Sequence, residues 1–318
     1  MLLAGDLGGT KTLLGLFERG ERRPRQLIAH EYPTQTFDSF TTILDHFERD
    51  AGRSLTVDAV AVGVAGPIVD KHARLTNIPW DISVAQIATR LAIDASRIAL
   101  LNDLEAMAYS VPVLEGGELA QLQRGERNAS GNAAVIAAGT GLGAAYLHFL
   151  EGRLIPVATE TGHADFAART DREFEFVRLL RAQFGRAEIE QVLSGPGVLN
   201  LHRFTHQGIA CGATTPADIS QSGLSKKCPK CVEALEMFAD AYGAEAGNVA
   251  LRSVATGGVF IGGGIAPKIL PALQDGRFMK AFRDKAPMAH LVSAMPVHVI
   301  VNPDAGLLGA AVAAQRLV

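Results

Sequence analysis

The chain has 318 residues, which is enough for two domains of ordinary size. Apolar residues make up 48% of it and charged residues 20%, the composition of a packed globular protein rather than a disordered one. Its net charge of -3 is small, so we expect neither nucleic acid nor a membrane surface as a partner.

The first segment, from Leu2 to Phe17, reads as a strand, a Gly/Thr turn and a second strand. No basic start, apolar core and cleavage site of a secretory signal precede it, so we expect a cytoplasmic protein. The turn residues Gly8, Gly9 and Thr10 are candidate phosphate ligands, because glycine lets backbone N–H groups approach an anion closely. A structural β-turn would explain a single such turn equally well.

Asp6 ends the first strand beside this turn. A carboxylate here could hold Mg²⁺ through water and align terminal phosphates, or it could simply cap the turn. Lys11 could neutralise phosphate charge, although a lysine just past a turn is more often solvated.

Helical and strand patterns alternate through the next hundred residues, which predicts an α/β protein. Thr41 to Arg49 carries apolar residues at helical spacing, while Val60 to Val64 and Ile98 to Leu101 read as short buried strands. Asn102 and Asp103 follow the second of these strands and precede a helix. Asp103 could cap that helix, or it could be a catalytic base at the carboxyl edge of a sheet.

A second strand, turn and strand, Val135 to Phe149, resembles the first segment and offers Gly139, Thr140 and Gly141. Two matching turns one domain length apart predict a duplicated fold that presents both turns to one ligand in a cleft. The residues after Gly143 read as a strand, which argues against a dinucleotide fingerprint, and no Walker-type loop occurs. The uncharged stretch Ala133 to Leu150 is interrupted by glycines, so we do not interpret it as a membrane span.

Two further segments carry candidate sugar ligands. Glu160 and His163 share a glycine-containing loop, and Glu190 precedes the turn Ser194 to Gly197. Several converging acceptors can satisfy the hydroxyls of a sugar ring, whereas a single loop histidine or glutamate is more often structural or solvated.

The chain has three cysteines, too few and too sparse for a disulfide framework, which favours a reducing compartment. Cys228-Pro-Lys-Cys231 has the spacing of a zinc or redox pair, with Cys211 as a candidate third ligand and His206 as a more remote fourth. Because no second ligand pair follows at a recognisable distance, we interpret them as ordinary thiols ahead of a helix.

The last part of the chain begins with a long helical pattern from Val232 to Val249. The strand and glycine turn from Gly257 to Pro267 could pack against an adenine ring or be a tight strand-to-helix connection. A strand from Val297 to Val301 and a small-residue helix from Leu307 to Gln315 follow, and we expect that helix to return to the first domain.

Taken in order, these segments resemble the bacterial glucokinase family, part of the superfamily of actin, hexokinase and heat-shock ATPases. The nucleotide motifs that carry the resemblance are Asp6 to Thr10, Leu101 to Ala106, Ala138 to Gly143, Gly257 to Lys268 and Pro303 to Gly309. The sugar motifs are Leu75 to Trp80, Asn102-Asp103, Glu160 to His163 and Glu190 to Gly197.

The resemblance implies a two-domain actin/hexokinase-like (ribonuclease H-like) α/β fold with an interdomain cleft. We expect a small domain of residues 1–113 plus 303–318 and a large domain of 114–302. By the same resemblance Asp103 is the base that accepts the proton of the 6-hydroxyl, and Asn77, Asn102, Glu160, His163 and Glu190 lie at the glucose. The residues implied at the nucleotide are Asp6, Gly8, Gly9, Thr10, Gly139, Thr140, Gly141, Gly262 and Gly263.

The implied activity is ATP-dependent phosphorylation of glucose to glucose 6-phosphate in glycolysis, by a homodimer that uses ATP and Mg²⁺. Thr161 departs from the family pattern, because a second glycine is common there, and this could alter sugar selectivity. The zinc motif of a related family of kinases and repressors is missing, so we do not expect zinc. The alternatives are another hexose as acceptor, polyphosphate as donor, or a regulator that binds sugar without turnover.

Overall fold

The computed structural model describes residues 1–75, 78 and 80–318, and the predicted sugar ligand Asn77 lies outside them. The chain divides into two compact units, residues 1–115 with 302–318 and residues 116–301. None of the helices in the described part of the chain is both long enough and apolar enough to cross a bilayer. The uncharged stretch 133–150 is instead a pair of strands.

The first unit begins with a sheet and three helices. Its strands are β1 (Leu2–Leu7), β2 (Lys11–Glu18), β3 (Arg25–Pro33), β4 (Ala59–Val64), β5 (Ile68–Val69), β6 (His72–Arg74), β7 (Asp81–Ser83) and β8 (Ile98–Asn102). Its first helices are α1 (Phe40–Asp50), α2 (Val84–Leu91) and α3 (Asp103–Ser110). The main sheet has the order β3-β2-β1-β4-β8. Strands β1, β4 and β8 are parallel, β2 pairs with β1 in the antiparallel sense, and β3 pairs with β2 in the antiparallel sense.

The second unit has a larger sheet and most of the helices. Its strands are β9 (Leu119–Gln123), β10 (Ala133–Ala138), β11 (Leu142–Leu150), β12 (Arg153–Thr159), β13 (Gly258–Gly262) and β14 (Val297–Ile300). Its helices are α4 (Asp171–Phe184), α5 (Gly195–His206), α6 (Pro216–Leu224), α7 (Pro229–Ser253), α8 (Leu270–Gln274), α9 (Arg277–Arg283) and α10 (Ala289–Ala294). The strand order is β12-β11-β10-β13-β14-β9, with β10, β13 and β14 parallel.

The two sheets repeat one pattern, which confirms the predicted duplication. In each unit an antiparallel hairpin, β1–β2 or β10–β11, is followed by two strands parallel to the first strand of that hairpin. The turn of each hairpin is one of the two predicted Gly/Thr turns. The duplication therefore puts a similar glycine-rich turn in each unit.

The chain ends with α11 (Ala305–Gln315), which packs on the first unit. Alternation along the strands explains how the sheet buries both of its faces. Leu3, Leu7 and the valines of β4 join the core on the side of α1 and α2, whereas Leu2, Ala4 and the alanines of β4 meet α11. Small residues on this second face let α3 and α11 approach the sheet closely.

Candidate functional site

In the first unit, the turn of the first hairpin is held by side chains from the segment that follows β3. The Gly8 N–H donates to the Lys11 carbonyl at 3.0 Å, and the Thr34 hydroxyl donates to the Gly8 carbonyl at 2.9 Å. Lys11 itself forms an exposed ion pair with Glu31 at 2.9 Å. The turn is thus a fixed backbone loop, and the lysine beside it is engaged by a surface carboxylate.

Asp6 lies at the end of β1, facing the first turn of α11. A β-carbon added to Gly306 would come within 2.6 Å of Asp6 Oδ2, so only glycine allows the helix to approach this carboxylate. Burial raises the pKa of Asp6 to about 6; Lys11 lowers it and Asp304 raises it further. The fold therefore keeps a poorly compensated carboxylate next to the glycine turn.

Asn102 and Asp103 lie where β8 turns into α3. Asn102 is the N-cap, and its Oδ1 accepts from the Leu104 N–H at 3.0 Å. Asp103 is therefore the first residue of the helix, and its Oδ1 accepts from the same N–H at 2.9 Å. The cap uses the amide oxygen of Asn102, so the NH₂ group of this side chain does not take part in the cap.

In the second unit, Glu190 braces the second hairpin turn. Its Oε2 accepts from the Leu142 N–H at 2.9 Å and lies 2.6 Å from the position of a β-carbon on Gly141. On the other side of the turn, the Gly195 N–H donates to the Gly139 carbonyl at 2.8 Å. The candidate sugar residue Glu190 thus also supports the candidate phosphate turn.

The loop that carries the candidate sugar ligands Glu160 and His163 contains a short 3-10 helix, Thr161–His163, that begins after Glu160. Gly162 packs so closely on the Leu142 carbonyl that any β-carbon would overlap it. Thr161, where the family pattern has glycine, shares a hydrogen bond of 2.8 Å with the Thr159 hydroxyl, which donates to the Ala144 carbonyl. These contacts tie the loop to β11 directly after the phosphate turn.

His163 has a partner that the sequence analysis missed. Its Nδ1–H donates to Glu188 Oε2 at 3.0 Å, and this hydrogen bond is the main reason that the pKa of His163 is raised. Arg186 in turn binds Glu188, Asp165 and the His163 carbonyl. Glu188 therefore orients the imidazole, and no local motif links it to His163, which lies 25 residues earlier in the chain.

Tyr242 of α7 joins the two strands that lead into the glycine turns. Its hydroxyl accepts from the Ala138 N–H at 3.2 Å and lies 3.3 Å from the carbonyl oxygens of Ile136 and Gly262. Burial raises the pKa of this fully buried phenol, so it stays neutral. One side chain thus holds the ends of β10 and β13 in register.

A cavity of about 1000 Å³ adjoins the second turn. Gly139 and Thr140 form one wall, the start of α5 and helix α6 form another, and Gly264 and Lys268 line the third. Gly262 is buried in β13, and Gly263, at φ 83°, packs against the Ala138 backbone beneath this surface. The α5 and α6 walls were missed in the sequence, because their mixture of small, apolar and polar residues forms no recognisable motif.

The candidate residues are therefore distributed over both units. The first unit holds Asp6, Gly8, Gly9, Thr10, Asn102 and Asp103, and the second holds Gly139, Thr140, Gly141, Glu160, His163, Glu190, Gly262 and Gly263. Within each unit the structure links the phosphate turn to its neighbours through the contacts above.

Comparisons with known proteins agree over nearly the whole chain. The family model for glucokinase matches residues 3–317. The chain is 35% identical to a glucokinase of Synechocystis sp., over 99% of this chain and 98% of that relative. It is 36% identical to a glucokinase of Mesorhizobium japonicum, over 99% of this chain and 92% of that relative.

A solved structure shows the same architecture. The glucokinase from an Antarctic psychrotroph superposes with a TM-score of 0.89 at 29% identity, over 99% of this chain and 98% of that one. This likeness confirms the expected actin/hexokinase-like fold class.

Proposed function

This chain belongs to the glucokinase family, and we infer that it transfers the γ-phosphoryl group of ATP to the 6-hydroxyl of glucose. The products are glucose 6-phosphate and ADP. The observation that carries this inference is the family match over residues 3–317, which includes every candidate sugar and phosphate segment.

We propose Asp103 as the catalytic base. The 6-hydroxyl becomes a better nucleophile as its proton passes to a carboxylate, and Asp103 begins a helix directly after a parallel strand, where such a group is well supported. The N-cap role of Asn102 leaves its NH₂ group to donate to a sugar hydroxyl. The alternative in which Asp103 is the cap loses support, because Asn102 already fills the N-cap position.

We propose that Glu160, His163 and Glu190 bind the remaining glucose hydroxyls, together with Asn77. The contact with Glu188 supports this role for His163. Glu188 accepts the hydrogen bond from His163 Nδ1–H, so the Nε2 atom of His163 is left for a ligand. An analogue that lacks one hydroxyl would leave unpaired the imidazole or carboxylate that binds this hydroxyl in glucose. This cost is the physical basis for selectivity for glucose.

We propose that both glycine turns bind the phosphates of ATP and that the 1000 Å³ cavity takes the adenosine. Its mixture of backbone edges and apolar side chains suits a flat aromatic base. Lys268 at the rim adds a positive charge near an anionic ligand. Enclosure of the bound substrates would exclude water from the reacting atoms. Water would otherwise compete with glucose as the acceptor of the phosphoryl group.

We propose that Asp6 holds Mg²⁺ through water. The residues fit this ion, because the buried Asp6 carboxylate has a raised pKa while the nearby Lys11 is paired with Glu31. When bound, Mg²⁺ neutralises charge on the transferred phosphoryl group. Asp6 would contribute a carboxylate oxygen that accepts a hydrogen bond from a water on the ion, and the first turn of α11 keeps this carboxylate in position.

We further propose that the protein works in the cytoplasm, at the entry of glucose into glycolysis. Cys211, Cys228 and Cys231 form no disulfide, which suits a reducing compartment that supplies ATP. The family resemblance also leads us to propose a homodimer, which sedimentation of the purified protein would test.

The function is tested with a coupled assay of the purified protein, MgATP and a panel of hexoses, each with and without divalent metal. We expect metal-dependent formation of glucose 6-phosphate and a strong preference for glucose. Preference for mannose, fructose or an amino sugar, or for polyphosphate as donor, would overturn the substrate assignment. Glucose binding without turnover would indicate a regulator instead.

A further inference from the structure

Five side chains with sulfur or imidazole nitrogen meet on the second unit, and none of them belongs to the candidate sugar or phosphate residues. His202 and His206 come from the last turns of α5, Cys211 from the loop that follows, and Cys228 and Cys231 from the start of α7. The two histidines lie four residues apart on one helix face, so their rings stack with centroids 3.8 Å apart. His202 is the member that the sequence analysis did not anticipate.

Three distances between these atoms are close to the edge lengths of a tetrahedron around a metal ion. Cys211 Sγ lies 3.7 Å from Cys231 Sγ and 3.2 Å from His202 Nε2, and Cys231 Sγ lies 3.9 Å from His206 Nε2. With Zn–S bonds of roughly 2.3 Å and Zn–N bonds of about 2.05 Å, tetrahedral geometry puts two sulfurs about 3.8 Å apart and sulfur and nitrogen about 3.6 Å apart. The donor atoms of these four side chains all lie within 4.8 Å of one another.

The orientation of His206 also suits a ligand. Its Nδ1–H donates to the His202 carbonyl oxygen at 2.9 Å, which fixes the tautomer and leaves a lone pair on Nε2. This Nε2 points into the sulfur cluster. A backbone acceptor on the far nitrogen is the usual support of a metal-binding histidine.

We propose that His202, His206, Cys211 and Cys231 bind one Zn²⁺ ion. Two thiolates and two neutral imidazoles balance the charge of Zn²⁺, so the complex is neutral, and its formation releases the two thiol protons. Neutrality matters here because His206 and Cys231 are buried. Cys228 Sγ lies 3.3 Å from His206 Nε2, but the set of four donor atoms that all lie within 4.8 Å of one another does not include it, so we assign Cys228 to the surroundings of the site.

Such a site would be structural, because four protein ligands leave no open position for a reaction. It would join the end of α5, the loop of residues 207–215 and the start of α7. Helix α6 lies between these segments, and α5 and α6 form a wall of the 1000 Å³ cavity. We therefore expect the metal to stabilise this unit and, through that wall, to support the nucleotide cavity.

The test is the zinc content of the full chain, purified under reducing conditions without a polyhistidine tag from cells grown with added zinc. Elemental analysis should find about one zinc ion per chain. Cobalt substitution should give the visible absorption of a tetrahedral ion and a thiolate-to-cobalt charge-transfer band. These readouts do not depend on kinase activity. The zinc site can therefore be refuted while the kinase function stands, and the kinase function can be refuted while the zinc site stands.

Variants identify the ligands. Cys231→Ser, Cys211→Ser and His202→Ala should each reduce bound zinc at least roughly tenfold, and the thermal midpoint of Cys231→Ser should fall by about 5 °C or more. Cys228→Ser should retain the metal, and the exposed His148→Ala serves as a control away from the cluster.

The proposal is wrong if zinc-supplemented wild type carries less than about a tenth of an ion per chain and does not take up Zn²⁺ in solution. Full zinc content in Cys231→Ser, or its loss in Cys228→Ser, would overturn this ligand set. If a serine variant fails to fold, cobalt titration of the wild-type apoprotein still decides whether the thiolates bind metal.

Discussion

Asp6 is a carboxylate that the fold holds at a cost to stability. Burial raises its pKa from 3.8 to about 6, against the attraction of Lys11. A carboxyl group with a raised pKa in the folded state destabilises that state once the pH exceeds the unfolded value. This loss in the free energy of unfolding grows as the pH rises from the unfolded pKa to the folded pKa, and it is constant at higher pH. We interpret this cost as the consequence of keeping in place a carboxylate that we propose to hold Mg²⁺ through water.

Asp6→Asn should therefore stabilise the ligand-free protein while it abolishes turnover. The gain in free energy of unfolding should be small near pH 4 and rise to at most about 3 kcal/mol above about pH 6, at about 1.36 kcal/mol per pKa unit. Urea unfolding across this pH range measures it. Glu21→Gln, at an exposed carboxylate with no contact to Lys11 or Asp6, is the control. A stability difference that does not change with pH would contradict the account of Asp6.

His163 gives a second prediction at the residue scale. Since the hydrogen bond to Glu188 raises the pKa of His163, the imidazolium persists to higher pH in the wild type than it should in Glu188→Gln. NMR titration of the His163 ring should show a lower pKa in Glu188→Gln than in the wild type. In the same variant, KM for glucose should rise roughly tenfold, with less change in kcat. Asp165→Asn, which also loses a contact with Arg186, should change neither value greatly. An unchanged pKa in Glu188→Gln would refute the pairing.

At the scale of elements, helix α7 supports the strand ends that lead into the glycine turns of the second unit. Its one fully buried tyrosine hydroxyl, that of Tyr242, reaches the last residues of both β10 and β13. Because each of these strands leads into a glycine turn, a single side chain aligns the two turns. Helical spacing predicts that Tyr242 is buried, but the sequence does not reveal the target of its hydroxyl.

Tyr242→Phe should lower the free energy of unfolding by about 1–3 kcal/mol, because the Ala138 N–H is left without its partner. KM for ATP should rise while KM for glucose changes little. Tyr32→Phe removes a comparable hydrogen bond to Asp50 in the first unit and controls for general destabilisation. If both variants alter KM for ATP equally, Tyr242 has no specific role at the turn.

For the whole molecule, the duplication could be predicted because its signals are local. Gly8 to Thr10 and Gly139 to Gly141 are turn residues between apolar runs, and such runs predict hairpins without tertiary information. Glu188, His202 and the α6 wall of the cavity could not be found in this way. Their significance depends on partners brought close by packing, such as His163 for Glu188 and Cys211 for His202.

The central claim, that Asp103 is the base of a glucose kinase, is tested most directly by Asp103→Asn beside Glu105→Gln, which changes a second carboxylate in the same helical turn. Steady-state turnover with MgATP and calorimetric glucose binding would be measured on both. We predict that Asp103→Asn binds glucose within about threefold of the wild type and loses turnover by roughly a hundredfold or more, while Glu105→Gln keeps most of its turnover. Wild-type turnover in Asp103→Asn would contradict the account.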